Sequence, residues 1–213
     1  MKIARLLLLI ALGASATAHA ANLEFTVTDK DGQPVPDAVV LLRFVIKPAT
    51  PPPATATTVI TQKNMKFEPF LSVVTPATTL RFTNADEFDH HIRANGPAAA
   101  DGASTDFEAR IGPQLGRIYD ARLTTTGRYT LGCHLHSRMI GYVLVSDTPW
   151  FGRSDANGRI TLTGLPDGQV DLQLWHPEQF LDQPLQRVQL SATSADINPR
   201  LNFVPRKRKN AGV

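Results

Sequence analysis

Apolar and polar residues alternate over short stretches along much of the chain. Leu23, Phe25 and Val27 interleave with Glu24, Thr26 and Thr28, and Val170, Leu172 and Leu174 interleave with Asp171, Gln173 and Trp175. A period of two places every second side chain on one face of an extended backbone, so these runs predict half-buried β-strands. Further strands are predicted around Val59 to Thr61, at Phe67, over Leu71 to Val74 and Leu80 to Thr83, and at Tyr129 to Leu131 and Gly141 to Val145. Asp31-Gly32, Asn157-Gly158 and Asp167-Gly168 supply turns between runs. No long segment repeats at the helical period between proper caps, so the expected fold is all-β and of sandwich type.

Three segments depart from this pattern. Lys47 to Thr58, which includes Pro51-Pro52-Pro53, cannot donate a run of ladder hydrogen bonds and reads as an extended linker. Arg93 to Thr124 is rich in Ala, Gly and Asp and matches no simple template. The first twenty residues combine Lys2 and Arg5, an apolar run from Leu6 to Leu12 and the small-residue site Ala18-His19-Ala20. That is the layout of a secretory signal peptide (residues 1–20) cleaved before Ala21. The run is too short to span a bilayer, and no later segment approaches the roughly 20 apolar residues a spanning helix needs. A soluble, exported chain follows, with the bacterial periplasm as its expected location.

Charge changes the picture little. The sequence holds 22 Lys plus Arg against 19 Asp plus Glu; without Lys2 and Arg5 the count is 20 against 19. Four of those 20 lie in Arg206-Lys207-Arg208-Lys209, which leaves 16 against 19 for the body. A nucleic-acid role needs a basic face on a folded domain, so none is expected. Residues 204–213 read as a solvated, disordered basic tail.

The candidate chemistry sits in one loop. Cys133 is the only cysteine, and the run Gly132-Cys133-His134-Leu135-His136-Ser137-Arg138-Met139 gathers it with two histidines and one of three methionines. An unpaired thiol is unusual in an oxidising compartment, and coordination to a metal would protect it. Thiolate, imidazole and thioether together form the ligand set that copper prefers, with a second imidazole arriving from elsewhere, here His90 or His91. No Ser/His/Asp arrangement, phosphate-binding glycine loop or paired acidic motif stands out. Of six histidines one lies in the leader, too few for a multicopper set, so an enzyme is not expected.

Residues 127–145 resemble the C-terminal ligand loop of the cupredoxins, and the spacing Cys-x2-His-x2-Met is that of the amicyanin-like blue-copper carriers. Met65-Lys66-Phe67-Glu68-Pro69 and the stretch Phe82 to His90 resemble the strand and first-ligand regions of the same family. The resemblance covers residues 59–147 and implies a cupredoxin Greek-key β-sandwich with one type-1 copper site. Its ligands would be His90, Cys133 as thiolate, His136 and, as the weak axial ligand, Met139. In plastocyanin-like sequences the first ligand falls six residues after the Asn of Phe-x-Asn, which selects His90 over His91. His91 would then point to the opposite side of its strand, as a supporting donor or a surface residue. His136 would be the electron port to a redox partner protein. His134 should point away from the metal, Met65 should lie in the core, and His176 should be structural or, with Trp175, part of an exposed docking patch.

The flanking parts carry a second resemblance. Residues 22–46, with Thr28-Asp29-Lys30-Asp31-Gly32-Gln33-Pro34-Val35-Pro36, and residues 154–176, with Ser154-Asp155-Ala156-Asn157-Gly158-Arg159-Ile160, resemble successive strands of the carboxypeptidase regulatory-like, transthyretin-like β-sandwich family. A discontinuous small sandwich of residues 22–46 plus 150–203 is therefore expected, with the cupredoxin inserted into it; two successive domains are the alternative. Nearly the whole mature chain resembles bacterial proteins described as methylamine utilisation protein-like, although no methylamine chemistry is legible in these residues. The expected function is that of a periplasmic type-1 copper protein in electron transfer. Copper delivery, or a cell-envelope binding module with the cupredoxin as scaffold, are the alternatives.

Overall fold

A computed structural model of the chain describes residues 20–113, 118–191 and 197–206. Among these residues every regular element is a β-strand, as the alternating pattern predicts. Residues 1–19 of the expected 1–20 signal peptide and residues 207–213 of the expected 204–213 tail lie outside the described residues. No helix among the described residues is long and apolar enough to cross a membrane.

The chain's two ends meet in one set of strands. β1 (Ala20–Thr26) pairs antiparallel with β13 (Arg159–Pro166), placing Phe25 opposite Ile160. β2 (Val39–Phe44) is flanked by β12 (Phe151–Arg153) and β14 (Gly168–Trp175), and β15 (Gln186–Leu190) completes the sheet β12-β2-β14-β15. Leu23, Phe25, Val40, Leu42, Trp150, Ile160, Leu172 and Leu174 share one apolar core between these strands.

Residues 57–145 build a second pair of sheets. One runs β4 (Lys66–Glu68), β3 (Thr57–Lys63), β6 (Thr79–Asn84), β9 (Tyr119–Arg122), with β3 and β6 parallel. The other runs β5 (Leu71–Val74), β11 (Ile140–Val145), β10 (Gly127–Cys133), β7 (His90–Asn95), β8 (Phe107–Ile111), with β5 and β11 parallel. Ile60, Phe67, Leu80 and Phe82 from the first sheet and Ile92, Tyr129, Leu131 and Val143 from the second are buried in a common core. Long-range pairing of this kind buries one face of each sheet, the condition that period-two sequences satisfy. The stretch from Arg93 to Thr124, which matches no simple template, thus contributes the end of β7 and one edge strand of each sheet, β8 and β9.

A third apolar cluster joins the two sets. Val39, Leu41 and Trp175 on the far face of the β2–β14 pair pack with Leu71 and Leu144. Covering both faces explains why β2 reads Val-Val-Leu-Leu rather than alternating, and why Trp175 breaks the alternation of β14. Trp175 and His176 are both buried, which removes the alternative of an exposed Trp-His docking patch and agrees with a structural His176. His176 stacks edge-on to Phe203, and its Nδ1 accepts the Glu178 backbone N–H at 3.2 Å.

Candidate metal centre

Two strands and the loop that follows the second bring the candidate ligands together in the second sandwich. His90 opens β7, Cys133 closes β10, and Cys133 pairs across to Ile92, so the thiol and the His90 imidazole project to the same interior corner. After Cys133 the chain turns tightly, the Met139 N–H donating to the His136 carbonyl at 3.0 Å, and re-enters the sheet as β11. This turn folds His136 back over the thiol. Cys133 Sγ lies 3.4 Å from His136 Nδ1 and 3.8 Å from His90 Nδ1. All three donor atoms fall within 4.8 Å of one another.

These separations suit a common ion. Metal–sulfur and metal–nitrogen bonds of about 2.3 and 2.0 Å, opened to a trigonal angle, put S and N about 3.7 Å apart. His90 is fully buried, Cys133 half-buried against the apolar core and His136 half-buried. Met139, 2% exposed, lies within that core at the end of the same loop. The thioether thus belongs to the dry side of the loop and His136 to the wet side. The ring of Phe88 packs on both imidazoles, with centroids 5.3 Å from His90 and 5.2 Å from His136.

Asp86, which the sequence reading missed, holds the first imidazole in place. Its carboxylate lies 2.9 Å from His90 Nε2 and also accepts the backbone N–H groups of Asn64 and Met65. With Nε2 engaged as the donor, Nδ1 keeps its lone pair on the side of Cys133, the arrangement metal-binding histidines commonly use. Burial pushes the Asp86 carboxyl upward, but the hydrogen bonds from Met65, His90 and Asn64 outweigh it and leave the group below its ordinary range. The aspartate lies four residues before His90 in a loop, and nothing in the spacing alone separates it from Glu87 or Asp89.

Asn84 fixes the loop that carries Asp86. Fully buried, its side-chain amide donates toward the carbonyls of Phe88, Ile111 and Gly112, while its carbonyl oxygen accepts the Asp86 N–H at 2.9 Å. The Asn of Phe82-Thr83-Asn84 therefore positions the His90 loop without contacting a ligand atom.

His91 does not join the first set. Its side chain leaves the opposite face of β7, about one-third exposed, while its backbone N–H points at Cys133 Sγ at 3.4 Å. His134 likewise turns outward, away from the thiol, as expected for the residue after Cys133. Its Nε2 meets Glu108 Oε1 at 2.9 Å, and this hydrogen bond, aided by the nearby Arg93 charge, outweighs the opposing desolvation and leaves the Glu108 carboxyl below its ordinary range. Met65 is a correction: rather than core, it is 52% exposed in the β3–β4 turn, at φ 55° with Asn64 at φ 53°. The Asp86 carboxylate ties down the N–H groups of that turn.

No protein-family model and no curated protein matches the sequence. Among solved structures, the chain is similar to a reduced point mutant of amicyanin at 19% identity and TM-score 0.36, over 49% of this chain and 98% of that one. An oxidised amicyanin mutant aligns at 21% identity and TM-score 0.36, over 46% and 97% of the two chains. A third mutant, in its Cu(I) form, gives 19% identity and TM-score 0.36 over the same shares.

Proposed function

We propose that this chain is a type-1 copper protein that carries electrons, with His90, Cys133, His136 and Met139 holding a single copper ion. The observation that carries this reading is the convergence of two imidazole Nδ1 atoms and one thiol on a common point, 3.4 and 3.8 Å from the sulfur. Copper bound there supplies a one-electron Cu(I)/Cu(II) couple.

The protein's part is to keep that point unchanged between the two oxidation states. Cys133 and His90 sit on adjacent paired strands, so the sheet holds their separation. Asp86 holds the tautomer and ring angle of His90, and the His91 N–H directs a donor at the sulfur. The Phe88 ring packs on both imidazoles, and Met139 is buried in the apolar core at the end of the loop. His136 is the ligand nearest solvent, and exposed Leu135 and Phe88 flank it, a setting suited to transient docking of a redox partner. The signal-like first twenty residues support a periplasmic location.

The same reading assigns residues 22–46 plus 150–203 to one discontinuous sandwich and residues 59–147 to a domain inserted into it. The pairing of β1 with β13 and of β2 with β12 and β14 supports this division.

Potentiometric titration with competition for Cu(I) tests the electron-carrier role. A reversible one-electron wave, with Cu(I) retained against a periplasmic-strength chelator, is expected. Irreversible reduction with release of Cu(I) to the chelator would favour copper delivery instead.

A further inference from the structure

On the outer face of the same sheet, three side chains outside the proposed copper set converge. His91 on β7, Glu108 on β8 and His134 just after β10 each offer a donor atom, and these atoms all lie within 4.8 Å of one another. We propose that His91, Glu108 and His134 form a second metal-ion site that binds a divalent transition ion, Zn2+ or Cu2+.

Strand register builds the cluster. The His134 N–H donates to the His91 carbonyl at 2.9 Å, continuing the β10–β7 ladder one step beyond Cys133. His91 and His134 are thus cross-strand neighbours, with ring centroids 4.8 Å apart. Glu108 stands diagonal to His91 on the next strand, because His91 faces Arg110 and Arg93 faces Glu108. Its two oxygens divide between the imidazoles, Oε1 at 2.9 Å from His134 Nε2 and Oε2 at 3.5 Å from His91 Nε2. Gly132, two residues before His134 on the same face, has nothing within 4 Å of the position a Cβ would take, so the face beside the cluster is open.

The geometry is close to that of a bound ion. Metal–nitrogen and metal–oxygen bonds of about 2.0 to 2.2 Å at a tetrahedral angle put donors about 3.4 Å apart. The 2.9 and 3.5 Å contacts, made by the two different oxygens of Glu108, and the 4.8 Å span of the three donor atoms are within a small adjustment of that value. Two imidazoles and one carboxylate complete three positions and leave the remainder to water or another ligand, unlike the saturated copper set across the sheet.

The donor set also chooses the class of ion. Arg93 acts on Glu108, and Arg110 stands opposite His91 with its guanidinium on Asp89 at 2.7 Å. Positive neighbours nearly cancel the carboxylates, so attraction to a bare cation is small and binding depends on nitrogen coordination. Ca2+ and Mg2+, which need several oxygens, are disfavoured; Zn2+ and Cu2+ accept imidazole readily.

Ring-nitrogen NMR of the full chain during a Zn2+ titration tests the site, because it reports each histidine separately. The His91 and His134 signals should move together along a single-site binding curve, whether or not His90 and His136 respond along a curve of their own. Glu108→Gln should weaken that saturation at least about ten-fold, since the change removes a charged ligand from an exposed position while retaining its shape. His134→Ala should abolish the His91 response, and Ca2+ at equal concentration should move neither signal. His91 and His134 signals that stay still while His90 and His136 shift would overturn the proposal, as would an affinity indifferent to Glu108→Gln. Equal response to Ca2+ would overturn it too, because it would reduce the cluster to an ordinary acidic contact.

Discussion

At the scale of single residues, the proposed metal centre would depend on groups outside its ligand set. Asp86 joins the β3–β4 turn to His90, and Asp86→Ala frees that imidazole to change tautomer and rotate. Copper affinity should fall about 10- to 100-fold in this variant, measured by chelator competition, with the blue absorption weakened rather than lost. His176 makes a separate, pH-dependent contribution. Burial pushes its pKa down to about 4, against which a hydrogen bond to Pro36 acts only weakly. The folded chain keeps His176 neutral while the unfolded chain protonates near 6.5, so stability is fully present above that pH and is lost as pH falls toward 4. The loss should reach about 3 kcal/mol once the pH is below 4, and about 2 kcal/mol of it falls between pH 7 and pH 5, where urea denaturation of wild type and His176→Gln would show it. The variant should show a flatter dependence, whereas an unchanged slope would remove His176 as the source.

Residues of the candidate ligand loop stand out in the sequence because their chemistry is rare. One thiol, two imidazoles and a thioether in eight residues admit few readings. Asp86 was not legible, since one carboxylate among three neighbours gains its role only when β3, β4 and the loop before β7 are brought together. His91 and His134 read as bystanders for the same reason. Only the β7–β8–β10 register sets them beside Glu108.

At the scale of elements, alternation located strands well where one face is buried and poorly elsewhere. β14 follows the rule through Leu174. β2 does not alternate, because one face meets the first core and the other meets Leu71 and Leu144. β8 and β9 escaped notice because each is a short edge strand with few fully buried positions. Turn chemistry was more legible. Gly158 takes φ +74°, and a Cβ there would stand 2.7 Å from the Val27 carbonyl and 2.9 Å from the Val35 nitrogen. Both obstacles are backbone, so Gly158→Ala should cost about 3 kcal/mol, a left-handed strain added to an overpacking term. A fall in midpoint by thermal or denaturant unfolding, with copper spectra unaltered, is the expected result.

At the scale of the molecule, the chain leaves its first sandwich through the proline-rich linker and returns after β11. If residues 22–46 and 150–203 are one domain, a protease site placed in the linker at 50–56 should leave a nicked protein that elutes as a single species. Strands β1 and β2 would remain held by β12, β13 and β14. Release of the N-terminal fragment without denaturant would show instead that these strands do not form a common core. The join between the two sandwiches is apolar, through Val39, Leu41, Trp175, Leu71 and Leu144, so they should move as neighbours rather than as beads on a tether.

The claim on which the rest depends is that Cys133 binds copper as a thiolate between His90 and His136. Purified full-length protein loaded with Cu(II), compared with Cys133→Ser by visible absorption and electron paramagnetic resonance, tests it directly. The wild type should be intensely blue with a narrow parallel hyperfine splitting, and Cys133→Ser should lose both while retaining its far-ultraviolet circular dichroism. A colourless wild type that binds Cu(II) no better than Cys133→Ser would contradict the account.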